Sequence, residues 1–162
     1  MSIISILSKS YDEFEPVVSA LKAELGPRFP VSMQNWCGIG ERPYPLLNWH
    51  VYLGKDETTG EIVGVFSYYQ QDNDPPDRFW VGWIGVLPSQ RRKGFATKFL
   101  DRVKDEVIKL GGKELWVHTG ADNIGAIDFY KDYGMQPWGE FKDVHVEQAS
   151  AEDDSAVLWM SI

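Results

Sequence analysis

One stretch near the middle of the chain constrains the fold most, because it joins an apolar run to a helix through a basic turn. The apolar run 79–87 stops at Pro88, which has no N–H to donate to a central sheet, so we expect a strand to end there. From Phe95 to Leu110 the apolar residues are spaced three and four apart, as in an amphipathic helix that packs on a sheet. The stretch therefore predicts a strand, a basic turn and a helix in that order.

The turn before this helix has the chemistry of an anion site. The first N–H groups of a helix have no partners within the helix and carry partial positive charge, which favours phosphate. Gly94 leaves the backbone open to a close approach, and Ala96 is nearly as small. Positive charge comes from Arg91, Arg92 and Lys93. The residues alone also allow the alternative, a solvated basic turn before an ordinary helix.

A second pattern lies downstream of the turn. Residues 123–135 follow an apolar run and have the pattern Asn-x-x-Ala-x-x-Phe-Tyr-x-x-x-Gly-Met. Together with the pattern Arg91-x-x-Gly94-x-Ala96, it resembles the GNAT superfamily of acetyl-CoA-dependent N-acetyltransferases. The resemblance covers residues 61–138 by motif and the whole chain by element order. It implies a single N-acetyltransferase domain over residues 1–162 with the GNAT fold.

Periodicity and turn signals predict the remaining elements. We expect a first helix over 13–24, capped by Asp12, and a short helix from Asn123 to Gly134. Four prolines in residues 27–48 predict a long loop, in which one short helix could form. This loop either has a binding or lid role or is a packed surface connection. The other strands are expected at 2–8, 49–53, 61–70, 113–119, 138–146 and 155–161. The sum is an α+β fold, an α/β sandwich with a mixed, mostly antiparallel sheet flanked by helices.

Composition and net charge indicate which cellular compartment and which classes of binding partner to expect. A chain of 162 residues with 43% hydrophobic content can bury one core. The net charge of -8 argues against nucleic acid and favours a cationic acceptor such as a polyamine. Cys37 is the single cysteine, so no intramolecular disulfide or cysteine metal cluster is expected. With no apolar run near the roughly 20 residues of a membrane span and no signal-peptide pattern, we expect a cytoplasmic protein without membrane association.

The resemblance implies that the anion is the pyrophosphate of coenzyme A. The strand backbone at 84–86 would pair with the pantetheine arm, with Gly82 and Gly85 allowing a close approach. The amides of residues 92–97 would hold the phosphates, and Asn123 matches an asparagine that contacts the cofactor. The residues implied for acetyl-CoA are Ile84, Gly85, Val86, Arg91, Arg92, Lys93, Gly94, Phe95, Ala96, Thr97, Asn123 and Tyr130.

Two residues are candidates for catalysis. Tyr130 matches the tyrosine that faces the sulfur in many GNAT members; the alternative is a core aromatic residue. A thiol has a pKa of about 8.5 and a phenol about 10, which favours a hydrogen bond to the departing thiolate over full proton transfer. The central strand lacks the glutamate or histidine that many members use as a base. His118 ends the neighbouring strand, and an imidazole with a pKa of about 6.5 suits proton removal, although it could instead pack beside Trp116.

The acceptor is the least constrained part of the prediction. The resemblance implies a primary amine of a small molecule or peptide, which attacks the thioester directly in a ternary complex. By analogy, Trp36, Glu41 and Tyr44 would lie near this acceptor, and no metal site is expected. The alternative is an acyl-CoA-binding or sensing module that keeps the cofactor site without a base. The chain could act alone or as a homodimer.

Overall fold

The computed structural model of the chain describes residues 2–40, 46–140 and 155–162. The strands are β1 (Ile3–Leu7), β2 (Leu46–Asp56), β3 (Ile62–Gln71), β4 (Arg78–Val86), β5 (Glu114–Gly120), β6 (Gln136–Glu140) and β7 (Ser155–Ser161). The helices are α1 (Tyr11–Leu25), α2 (Arg28–Trp36), α3 (Phe95–Lys109) and α4 (Ile124–Tyr133), and a single 3-10 turn (Pro88–Gln90) lies between β4 and α3. Within these ranges, no helix is long and apolar enough to span a membrane.

The strands of the described residues form one sheet in the order β1-β2-β3-β4-β5-β7-β6. Neighbouring strands are antiparallel except β4 and β5, which are parallel. The β4–β5 pairing starts at Arg78 with Glu114 and ends at Trp80 with Trp116, although both strands continue. The predicted α+β fold with a mixed, mostly antiparallel sheet is therefore confirmed, and the sheet opens between β4 and β5.

Helices cover both faces of the sheet. On one face, α3 and α4 pack on alternate strand residues such as Phe66 and Tyr68. On the other face, α1 and α2 pack on the residues in between, such as Val65. Since neighbouring strand residues point to opposite faces, each face has its own buried core. The opening between β4 and β5 lies between these two layers.

A β-bulge interrupts β4 just after its last residue paired with β5. Phe66 is opposite Ile84, whereas Tyr68 is opposite Val81, so β4 has one extra residue facing Ser67. The Ser67 hydroxyl donates a hydrogen bond to the Trp83 carbonyl oxygen at 3.3 Å. A bulge bends its strand and leaves backbone groups outside the regular ladder. The bend lies where β4 departs from β5.

The start of α1 differs from the prediction. The helix begins at Tyr11, and Ser10 is the N-cap residue, with no hydrogen bond from its side chain to the helix. Asp12 lies inside the first turn, so its predicted capping role was wrong. An acidic residue there still interacts favourably with the positive end of the helix dipole.

The segment 27–48, predicted as a long loop with one short helix, contains a nine-residue helix, α2, and the beginning of β2, so the loop is shorter than expected. The prolines had suggested a loop, but Pro27 is the N-cap residue of α2 and Pro30 is its third helical residue. N–H groups at these positions have no partner within a helix, so proline costs no hydrogen bond there. Glu41 and Tyr44 lie outside the described residues, as do 141–154, which hold part of the expected strand 138–146.

Candidate functional site

The loop between β4 and α3 has a backbone shaped to present N–H groups. Arg92 has φ of 61° and Gly94 has φ of 81°, both in the left-handed region. A positive φ is uncommon for a residue other than glycine. Because left-handed residues alternate here with right-handed or extended ones, successive N–H groups can line a concave anion site. The geometry agrees with the anion loop expected from the sequence.

The N-terminus of α3 is open to a ligand. Gly94 is the N-cap residue, no side chain caps the helix, and its first turn has no acidic residue. A methyl group added at Gly94 would meet no heavy atom within 4 Å. Within the described part of the chain, no side chain caps α3 and the space beside Gly94 is open, an arrangement that leaves room for a diphosphate.

The basic side chains of the loop have different surroundings: two of them bond to neighbouring residues, and the third is exposed. The Arg91 guanidinium forms an ion pair with Glu24 of α1 and donates a hydrogen bond to the Val86 carbonyl oxygen at 3.2 Å. Lys93 donates to the Gln90 side-chain oxygen at 3.0 Å. Arg91 was expected to bind the cofactor, and in this structure it ties the loop to α1 and β4. Arg92 is exposed.

One edge of β4 is available for an added strand. Ile84, Gly85 and Val86 pair with β3 on one side. On the β5 side, pairing among the described residues has already ended at Trp80. An extended group can add to such an edge through main-chain hydrogen bonds. The predicted pantetheine contact at 84–86 is therefore geometrically possible.

The two glycines of β4 have a packing role. A methyl group at Gly82 would lie 2.2 Å from the Ser67 hydroxyl, and one at Gly85 would lie 2.6 Å from a Leu21 methyl carbon. Both distances are far below van der Waals contact. A side chain at either position would force Ser67 or Leu21 to move, so close packing favours glycine here independently of any approach by a cofactor.

Tyr130 and Asn123 both belong to α4. Tyr130 is buried in the same core cluster as Val81 and Val117, the first residues of β4 and β5 beyond their last paired residues. Burial raises the pKa of Tyr130 to about 12. Asn123 is the N-cap residue of α4, and its side-chain oxygen accepts a hydrogen bond from the Ala126 N–H at 3.2 Å. Asn123 therefore has a structural role, while Tyr130 is part of the buried core on the α3–α4 face of the sheet.

A cavity of about 540 Å³ lies on the α1–α2 face of the sheet. One face of α2 forms one wall, and residues of β2, β3, β4 and β5 form the rest. Val81, Gly82 and Trp83 bring the bulge of β4 into this lining, and His118 brings the end of β5. The cavity thus reaches the opening between the two strands. Its volume is within the range of roughly 300–1,000 Å³ typical of small-molecule sites.

His118 is the titratable group of β5 that faces the cavity. Its Nε2 atom lies 3.4 Å from the Tyr69 hydroxyl, and its ring packs edge-on against Trp80 with centroids 5.9 Å apart. The ring is only partly buried, because one side borders the cavity. His118 is therefore packed on an aromatic neighbour and also accessible to a ligand in the cavity.

Trp36 does not line the cavity. Its side chain is 4% exposed, and its indole N–H donates to the Ser8 carbonyl oxygen at 2.6 Å. Lys9 lies 3.2 Å above its ring, and Trp49 packs edge-on against it with centroids 5.4 Å apart. Trp49 is the residue of this pair that lines the cavity. The packing gives Trp36 a structural role where the sequence predicted an acceptor contact.

Several cavity residues had no counterpart in the sequence prediction. These residues are Arg28, Asn35, Trp49, Ser67, Tyr69 and Trp83. A usable signal exists in α2, because Phe29, Met33 and Trp36 have helical spacing and are buried. That spacing places Arg28 and Asn35 together on a neighbouring side of the helix, which faces the cavity.

Comparison with known proteins places the chain in a family. The model of the Acetyltransferase (GNAT) family matches residues 14–135, more than half of the chain, so the chain belongs to this family. A search of curated proteins finds no match.

Solved structures share the fold. The acetyltransferase of the GNAT family from Staphylococcus aureus Mu50 has a TM-score of 0.72 and 18% identity over 99% of each chain. A GNAT family acetyltransferase from Elizabethkingia anophelis, solved with acetyl-CoA bound, has a TM-score of 0.66 and 16% identity over 99% of this chain and 97% of that one. The Bacillus subtilis acetyltransferase in complex with CoA has a TM-score of 0.67 and 17% identity over 99% and 98%. The similarity confirms the GNAT fold expected from the two sequence patterns.

Proposed function

We propose that the chain is an N-acetyltransferase that transfers the acetyl group of acetyl-CoA to a primary amine of a small molecule or peptide. The observation that carries this proposal is the opening between β4 and β5. An anion loop follows β4, and a cavity of small-molecule size reaches the same opening from the α1–α2 face. A donor bound along β4 and an acceptor in the cavity could therefore meet in one ternary complex, which suits direct attack by the amine.

The residues present fit acetyl-CoA as the donor. The N–H groups of residues 92–97 would hold its pyrophosphate, and the free edge of 84–86 would hold the pantetheine arm. Asn123 would contact the cofactor through the part of its amide that does not cap α4. Bound acetyl-CoA supplies the acetyl group as a thioester. The relatives solved with acetyl-CoA and CoA support this choice of donor.

Tyr130 would donate a hydrogen bond to the departing sulfur. Its pKa of about 12 lies well above the roughly 8.5 of a thiol, so it keeps its proton at neutral pH. A buried hydroxyl that stays neutral is suited to stabilise negative charge without giving up its proton. Tyr130 therefore acts in this proposal as a hydrogen-bond donor and not as a general acid.

His118 would remove the proton of the acceptor amine, directly or through water. The need for a base depends on the acceptor: an α-amine with a pKa near 8 is unprotonated in about one molecule in ten at pH 7, whereas a lysine-like amine is unprotonated in about one in two thousand. His118 lines the cavity beside the opening, which is the position that such a role requires. An α-amine acceptor would make this base less important.

The test is release of free thiol from acetyl-CoA over a panel of amino acids, peptides, polyamines and aromatic amines. We expect release with at least one class of amine and a matching N-acetylated product by mass spectrometry. Binding of acetyl-CoA with no thiol release for any amine would instead support an acyl-CoA-binding module. The absence of both binding and release would contradict both functions.

A further inference from the structure

We propose that the acceptor is an amine that carries a carboxylate on an apolar body, and that Arg28 and Asn35 of α2 recognise the carboxylate. This inference rests on the proposed function, since it names the substrate class of the same cavity. It goes beyond that function by assigning two specificity residues, neither of which takes part in the acetyl transfer.

Asn35 provides the first observation. Its side chain is 8% exposed and lines the cavity, and its Nδ2 atom has no hydrogen-bond partner within the described part of the chain. A buried amide N–H₂ group without a partner is unfavourable, and such groups are rare in folded proteins. A ligand oxygen in the cavity would supply the missing acceptor.

Arg28 provides the second observation. Arg28, Ser32 and Asn35 have spacings of four and three residues on α2, and all three line the cavity. A carboxylate placed over Ser32 would therefore lie within one helical turn of both Arg28 and Asn35. Arg28 makes no ion pair within residues 2–40, 46–140 and 155–162, and as the first residue of α2 it adds to the positive end of that helix.

The charge of the other residues that line the cavity also favours an anionic ligand group. No aspartate or glutamate lines the cavity among the described residues, although the chain has a net charge of -8. A polyamine, which the net charge had favoured, would find a cation and no counter-charge in this lining. An anionic group would pair with Arg28, and such pairs are strengthened by additional hydrogen bonds.

The walls facing α2 define the apolar part of the acceptor. Trp49, Tyr69, Val81 and Trp83 present large apolar surfaces. His118 lies on β5, at the strand opening where the amine has to arrive. The arrangement suits an aromatic or branched body whose carboxylate contacts α2 and whose amine points to the opening between β4 and β5.

The test compares acceptors with and without a carboxylate, with each kcat/KM expressed per unprotonated amine because the amine pKa values also differ. Thiol release from acetyl-CoA is measured with phenylalanine and tryptophan, with their decarboxylated amines phenethylamine and tryptamine, with phenylalaninamide, and with spermidine. The compound 4-(aminomethyl)benzoate extends the series to a larger separation of amine and carboxylate. We expect the best carboxylate-bearing acceptor to have a kcat/KM about tenfold above its carboxylate-free counterpart, an effect that combines an ion pair with the exposed Arg28 and a hydrogen bond from the buried Asn35.

Substitution of the two residues assigns the preference. Arg28→Gln should raise KM for the carboxylate-bearing acceptor about three- to fivefold with little change in kcat, and should leave the carboxylate-free amine unaffected. Asn35→Asp should also raise KM for the carboxylate-bearing acceptor, because it places a negative charge against the carboxylate. Arg102→Gln, an exposed arginine of α3 outside the cavity, is the matched control and should change neither acceptor.

A binding measurement separates this inference from the proposed function. Calorimetry on the CoA-bound protein compares N-acetylphenylalanine with N-acetylphenylalaninamide, and Arg28-dependent preference for the acid supports the inference even if no amine releases thiol. The inference is overturned if amines without a carboxylate release thiol as fast as those with one and Arg28→Gln changes neither rate. That result leaves the proposed function intact. Failure of the acid to bind in preference to the amide also overturns it.

Discussion

Replacement of Tyr130 by phenylalanine tests the proposed chemistry most sharply, because it removes only the hydroxyl. The ring remains in the core cluster with Val81 and Val117, so the fold should persist. The hydroxyl is the part that would contact the sulfur. The variant therefore separates the packing role of the ring from the proposed role of the O–H group.

The size of the effect follows from the buried position of Tyr130. With a pKa of about 12 for Tyr130 and about 8.5 for a thiol, full proton transfer to the thiolate is uphill by roughly 5 kcal/mol, so a hydrogen bond remains. A hydrogen bond to a charged group contributes about 1.5–3 kcal/mol, which corresponds to a loss in kcat of about 10- to 150-fold. The KM for acetyl-CoA should change much less, since the bond strengthens as negative charge develops on the sulfur.

The assay is steady-state thiol release with acetyl-CoA varied at a saturating concentration of acceptor. Tyr133→Phe is the matched control, because the Tyr133 hydroxyl donates to Asp101 at 2.7 Å on the surface of α3 and α4. We expect normal turnover in this control. An unchanged kcat in Tyr130→Phe, or a rise in KM alone, would refute the hydrogen-bonding role.

Three further predictions concern the base, the sheet and alkaline stability. His118→Ala should fold normally and lose activity most at low pH, where more of the acceptor amine is protonated, as a pH profile of thiol release will show. Gly85→Ala should lower the free energy of unfolding by about 1–3 kcal/mol in urea, because the new methyl group lies 2.6 Å from Leu21. Tyr130 holds its proton more tightly in the folded state, so its contribution to stability is complete below about pH 10 and falls by up to about 3 kcal/mol as the pH rises to about 12; Tyr130→Phe should lack this component.

Each of these three predictions has a contradicting result. Identical pH profiles of thiol release for the wild type and His118→Ala would contradict the role of His118 as the base. Unchanged stability of Gly85→Ala would mean that α1 shifts freely on the sheet. Gly40→Ala is not a suitable control for this variant, because Gly40 has a positive φ that alanine rarely adopts. An equal loss of unfolding free energy above pH 10 in the wild type and Tyr130→Phe would show that other groups account for it.

The end of β4, the turn and α3 could be predicted from the sequence because their signals are local. Pro88 ends a strand by lacking an N–H, and the periodic residues after Gly94 define α3 without reference to the rest of the fold. The short helix ended by Gly134 was likewise predicted correctly, and the structure adds that Asn123 is its N-cap residue. Such features depend on neighbours along the chain, which is why the sequence suffices for them.

The cavity could not be predicted in the same way. Its lining combines α2 with four strands that are distant in sequence, and the bulge at Gly82 appears only when β3 and β4 are paired. The position of Trp36 could not be predicted either. A tryptophan near a binding region can line the cavity or, as Trp36 does, pack against a residue that lines it, here Trp49. The short helix allowed in residues 27–48 could not be located from the sequence, because Pro27 and Pro30 occupy helix positions that tolerate proline.

The central claim is that the backbone from Arg92 to Thr97 holds the pyrophosphate of acetyl-CoA. Nuclear magnetic resonance of the uniformly ¹⁵N-labelled protein, titrated with acetyl-CoA, observes these amides directly. The account predicts that the amide signals of residues 92–97 shift together and saturably, more than those at the exposed C-terminal end of α3. Saturable binding that leaves these amides unchanged, or no binding, would contradict it.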